Sequence, residues 1–203
     1  MTEFLLHRNI STIIVACHTV SATVLPTLKH MYPRVTFIDL LFPIVSHAVS
    51  QTRTKTIGVL ATYNTVESHR FPTLIHSFDS NYQVFQQACP QFVLLLESPE
   101  LDIVMLDYII DTYLESFMHT TIDTIILGCT HYAFLSDSIM KRLQTPCTLV
   151  SAYSCIQYAL RKNNSAPFSL DFFISGSVEL FKISSQRVLQ ISSLMPIVYR
   201  EFI

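Results

Sequence analysis

The sequence predicts an α/β fold with doubly wound parallel sheets, divided into two similar domains. Two observations carry this. Short runs rich in Ile, Val, Leu and Phe alternate with longer amphipathic stretches. The runs lack polar alternation, as strands covered by helices on both faces do. A third observation supplies the pseudo-symmetry: TIIVACHT at residues 12–19 is echoed by TIILGCTH at residues 124–131. Each phrase is an apolar run that ends in a cysteine with polar neighbours.

Taken in order, the apolar runs predict strands over 12–17, 35–40, 56–62, 124–129, 148–151 and 171–175. Helical patterns fall between them over 21–31, 44–52, 65–78, 101–119, 134–143 and 153–162. Residues 52–54 and 163–167 read as loops. In such sheets ligands bind beyond the carboxyl ends of the strands. Cys17 and Cys129 both stand at that end, each before a polar loop and a helix. Two such units, more than half of the 203-residue chain apart, place two thiols on one shared cleft.

Composition narrows the chemistry. Half of the residues are hydrophobic and 14% are charged, enough for one large or two compact cores. A net charge of −2 with scattered Lys and Arg gives no footprint for nucleic acid or a membrane surface. No apolar run reaches the roughly 20 residues that span a bilayer, and the start MTEFLLHRN lacks the features of a signal peptide. A cytoplasmic protein is expected. Gly58, Gly128 and Gly176 are the only glycines, so no glycine-rich phosphate or dinucleotide loop can form. Five cysteines, an odd number without dense spacing, read as reduced thiols.

Free cysteine is among the most buried residue types, so Cys89, Cys147 and Cys155 read as core. Cys17 alone would read the same way; the repetition reverses that. A thiol at a strand end beside a helix start lies in the field of backbone N–H groups, which lowers its pKa. It can serve as nucleophile, metal ligand or base. Nucleophilic catalysis leaves the second thiol unexplained. Zinc would have to use Cys17, Cys129, His131 and His18, without the usual close ligand pairs. Two bases on opposite faces of one carbon use both thiols, as in a cofactor-independent racemase.

At these residues the chain resembles bacterial glutamate racemase. IIVACHTVSA and LGCTHYAFL match that family's ACNTASA and LGCTHYPLL, and IGVLATYNTVES and ACPQFVLLLE match further segments in order. The resemblance implies two flavodoxin-like domains with the site between them, glutamate as substrate, and no metal or other cofactor. Carried over by position, Cys17 and Cys129 are the acid/base pair and His131 assists Cys129. Thr19, Thr130, Thr62 and Thr65 would contact substrate, with His18 and His131 beside them. D-Glutamate for peptidoglycan would be the product.

Four departures from the family pattern stand out. Its Phe-Asp-Ser-Gly and Pro-Tyr-Gly segments have no counterpart, so the first domain is expected to lack about two βα units, on the order of 60 residues. TIIVAC then becomes an exposed edge open to aggregation or to a second copy, which makes a homodimer one expectation. His18 stands for asparagine, where it could pair with Cys17 as an ion or block the carboxylate site. Ala133 stands for proline and Ser177 for aspartate. The expected division is 1–42 plus 151–203 as the incomplete first domain and 43–150 as the second. A non-catalytic remnant and a thiol or zinc-binding protein are the alternative readings.

Overall fold

The computed structural model describes residues 1–98, 100–143, 145–153, 170–189 and 197–201. Its central strands β3 (Thr56–Ala61) and β5 (Thr124–Gly128) are apolar after their first threonine and buried at every residue. They pair in parallel, with β4 (Gln83–Ala88) outside β3 and β6 (Thr148–Val150) outside β5. Side chains alternate across this sheet. Ile57, Val59, Ala61 and Ile126 join α4 (Leu41–Gln51) and α6 (Arg70–Phe78) in one core. Leu60, Ile125 and Leu127 join α7 (Pro90–Glu97) and α8 (Ile103–Leu114) in another. Both faces are covered, which is why these strands read as continuous hydrophobic runs.

A second parallel pair, β1 (Thr12–Val15) with β2 (Thr36–Asp39), carries the first cysteine. Its core is small: Val15, Leu25 and Phe37. Ile14 and Ile38 lie opposite each other in register and remain 49% and 43% exposed. A third parallel pair joins β7 (Leu170–Ile174) to β8 (Ile197–Glu201). The architecture is α/β with parallel sheets, and both cysteine strands run straight into a helical turn. Among the described residues no helix is long and apolar enough to cross a membrane.

The five expected helices that fall on described residues are present with altered ends. The 21–31 pattern starts earlier and divides at Val24 into α2 (His18–Thr23) and α3 (Leu25–Met31). Pro26 has no N–H to continue the first helix, and it sits in the tolerated first turn of the second. The 65–78 pattern divides likewise into α5 (Tyr63–Glu67) and α6, where His69 takes the left-handed conformation at φ 52°. Asp102 caps α8 by accepting from Met105 N at 2.9 Å. A 3₁₀ turn over Glu115–Phe117 ends that stretch, and another over Thr130–Leu135 precedes α9 (Ser136–Arg142). Residues 52–54 form the expected loop, pinned by Asp123, which accepts from Thr52 Oγ1, Arg53 N and Thr54 N.

Four elements were not predicted as such: β4, α7, β8 and α10 (Val178–Leu189). β4 lies at an edge of its sheet, and its glutamines hide the strand pattern. A short helix, α1 (Thr2–Leu6), precedes β1. The expected helix over 153–162, loop over 163–167 and core Cys155 lie outside the described residues, apart from helical Tyr153.

The contrast between the cysteine strands has a measurable consequence. Opening is easiest where few apolar groups are buried. Amide hydrogen exchange should be slow across Thr124–Gly128 and faster across Thr12–Val15. Equal protection of the two strands would contradict this account of the β1 sheet.

Candidate active site

β1 ends two residues before Cys17, whose backbone (φ −80°, ψ 113°) is extended and caps α2. Its carbonyl accepts from Ser21 N at 3.0 Å, and the residue is exposed. Cys129 follows β5 in the same way, extended at φ −142° and ψ 138°, and its carbonyl accepts from Tyr132 N at 3.1 Å. Gly128 before it has no room for a side chain. A Cβ there would meet Phe71 Cε2 at 2.9 Å and Ala61 Cβ at 3.0 Å.

Tyr132 fixes this second turn. Its ring is fully buried edge-on to Phe92, and its hydroxyl donates to the Cys89 carbonyl at 2.7 Å. Cys129 and His131 are left half-exposed on the other side of the turn. The Cys129 Sγ lies 3.9 Å from His131 Nδ1, and His131 Nε2 lies 3.1 Å from Glu97 Oε1 at the end of α7. With Nε2–H donated to the carboxylate, Nδ1 offers its lone pair to the thiol. The sequence alone assigns no role to Glu97, the last residue of the ACPQFVLLLE segment. Its signal was position: one helix beyond the Cys89–Pro90 turn that holds Tyr132.

The expected lowering of the thiol pKa is reversed at Cys129. Burial pushes it up; backbone N–H groups of His131 and Tyr132 pull it down; the nearness of Cys17 and of Glu97 adds to the rise. The two thiols are thus close enough to influence one another, although the matching segments are far apart in sequence. Cys89 is fully buried, and Cys147 is half-buried with its thiol pushed up by desolvation to about 12.

His18 does not face the cleft as a charged group. It is 2% exposed, beside Phe71, and neither ring nitrogen has a hydrogen-bond partner. Burial lowers its pKa to about 4, against a smaller opposing pull from Asp39. It is neutral at pH 7, so an imidazolium–thiolate pair with Cys17 does not form. Thr19, Thr62 and Thr65 converge instead: their hydroxyl oxygens lie 2.8, 2.9 and 3.1 Å apart. Thr130 is half-buried beside Cys129. Among the described residues no three His, Cys, Asp or Glu side chains gather as a metal site requires.

This site can be set against known proteins. No family model matches the chain. The glutamate racemase of Carnobacterium sp. (strain St2) is 33% identical over 205 residues, covering 96% of this chain and 76% of that relative. The chain belongs to the glutamate racemase family. In structure it is similar to glutamate racemase isoform RacE1 from Bacillus anthracis, with a TM-score of 0.87 and 27% identity over 100% of this chain and 77% of that one. Glutamate racemase from Francisella tularensis in complex with D-glutamate gives 0.84 and 26%, over 99% and 76%.

His18 generates a pH prediction for this racemase-family chain. Its folded pKa of about 4 lies below its ordinary 6.5, so the unfolded chain takes the proton first. Its contribution to stability is full above pH 6.5 and is lost as pH falls toward 4. Between pH 7 and pH 5 the loss is about 2 kcal/mol. Denaturant unfolding at both pH values should show it, and His18→Asn should remove most of it. A loss that survives the substitution would place the acid sensitivity elsewhere.

Proposed function

We propose that the chain interconverts L- and D-glutamate by proton transfer between two cysteines, without a cofactor. One observation carries the reading: two thiols stand at matching strand ends that meet through the Thr19–Thr62 contact at 2.8 Å, Thr62 leaving β3 where β5 reaches Cys129, and one thiol is backed by a histidine and a carboxylate. Cys17 as thiolate would take the α-proton of D-glutamate while the Cys129 thiol protonates the opposite face. The reverse direction starts from Cys129, whose proton His131 helps to accept. Glu97 orients His131. Thr19, Thr62 and Thr130 would hydrogen-bond the substrate and steady the carbanion, since preorganised dipoles must replace a cofactor's electron sink.

Under this reading residues 43–150 form one domain, and 1–42 with 151–203 form the other. Cytoplasmic supply of D-glutamate for peptidoglycan is the role that follows. A homodimer joined through the β1 edge fits the exposure of Ile14.

The test is direct. Incubation of L-glutamate in D₂O should yield D-glutamate deuterated at Cα, unaffected by a chelator. Cys17→Ala and Cys129→Ala should each cut turnover by roughly 10²–10⁴-fold, the usual worth of a positioned acid or base. Cys89→Ala, at a fully buried thiol outside the acid/base pair, should leave turnover largely intact. Full turnover by either active-site variant would remove the two-base assignment.

A further inference from the structure

A concavity of about 330 Å³ lies near the end of β5 opposite Cys129. It opens between α8, the end of α9 and the segment before β6, and its walls are Leu114, Phe117, Ile122, Ile125 and Leu143 with the Cys147 thiol. Leu114, Phe117, Ile122 and Ile125 are buried, whereas Leu143 and Cys147 are half-buried. Four residues of chain, roughly 13 Å of strand, separate Ile125 from Cys129. The space is no part of the thiol cleft.

Protein interiors are close-packed, and voids larger than a water molecule are few. Three features hold this one open. The Phe117 ring is seated against Gly58, where a Cβ would meet its Cε2 at 2.8 Å. Just beyond the 3₁₀ turn that carries this ring, His119 takes the left-handed conformation at φ 65°. Arg142 reaches from α9 to both Asp107 and Asp111, one turn apart on α8, and clasps the two helices beside the opening.

The same clasp sets the chemistry. Carboxylates already engage both terminal nitrogens of Arg142, and they outnumber it. From residue 71 to residue 140 the chain has nine Asp and Glu and no Lys or Arg. An anion therefore meets a negative field here and no unengaged guanidinium nitrogen. We propose that this cavity is a binding site for a small, uncharged, apolar molecule of one or two rings. An apolar cavity of about half this volume binds benzene.

Indole is the probe. Calorimetric titration of the full chain should show saturable binding with a Kd on the order of 1 mM or tighter, an ordinary efficiency for so small a ligand. Indole-3-acetate, the same rings with a carboxylate, should bind roughly tenfold more weakly or worse. Leu143→Trp, which brings a ring system into the cavity from its rim, should weaken indole by a similar factor. If that variant does not fold, Cys147→Phe makes the same comparison. Cys129→Ala, at the far end of β5, should leave indole affinity unchanged. No saturable binding below about 10 mM, or equal binding by the filled variant, would overturn the proposal. Equal affinity for indole-3-acetate would overturn the uncharged ligand class. Loss of binding in Cys129→Ala would move indole to the thiol cleft and overturn the site. Each of these failures leaves the racemase reading in place, because turnover is not the readout.

Discussion

The register between β3 and β5 is the constraint on which the site depends. Ala61 pairs with Gly128, so the residues that follow, Thr62 and Cys129, leave the sheet side by side. That register holds because every side chain of both strands is buried between two helical layers, and a one-residue slip would exchange their faces. Gly128 belongs to the same constraint. The strands and Phe71 approach so closely that a methyl group there would collide with ring and backbone. The cysteine is placed by packing before any chemistry is considered.

From that fixed end, a few polar contacts arrange the chemistry asymmetrically. Cys17 is exposed and Cys129 half-buried, so burial holds Cys129 toward its protonated form. A reaction that needs one thiol to take a proton while the other gives one can use this difference. The Glu97–His131 contact then supplies an acceptor where desolvation would otherwise oppose ionisation. Tyr132 links the two ends of this arrangement. Its hydroxyl ties the Cys129 turn to Cys89, and α7 runs from Pro90 to Glu97 immediately beyond.

Much of this was legible in the sequence, for reasons that can be named. TIILGC was readable because a strand packed on both faces writes an uninterrupted apolar run; TIIVAC writes the same run although Ile14 stays half-exposed, and the repetition pointed at both thiols. β4 was not readable, because an edge strand can carry Gln83, Gln86 and Gln87 where a central one cannot. Helix boundaries near Val24 and His69 depend on one proline and one left-handed residue, signals too local for periodicity to register. Glu97 escaped because its partner is 34 residues away and meets it only through the fold. His18 misled because its neighbour Cys17 is exposed, whereas its own ring turns inward at the first turn of α2.

The same residues show where stability is given up. His18 buries two ring nitrogens without partners, an arrangement that ordinarily costs about 1–3 kcal/mol for each unsatisfied group. Thr62 makes no side-chain capping bond, worth about 1 kcal/mol in a typical helix, and meets Thr19 and Thr65 instead. Gly128 accepts the backbone freedom of glycine in a strand that favours branched residues. All three lie within two residues of a cysteine or at the adjoining end of β3. Apolar side chains fill both faces of the described four-stranded sheet. Such local departures persist only where the surrounding fold enforces them. Here the enforcing element is the buried β3–β5 pair, which sets Thr62 and Cys129 in place; α2 then brings Cys17, His18 and Thr19 against that fixed edge through the threonine contacts.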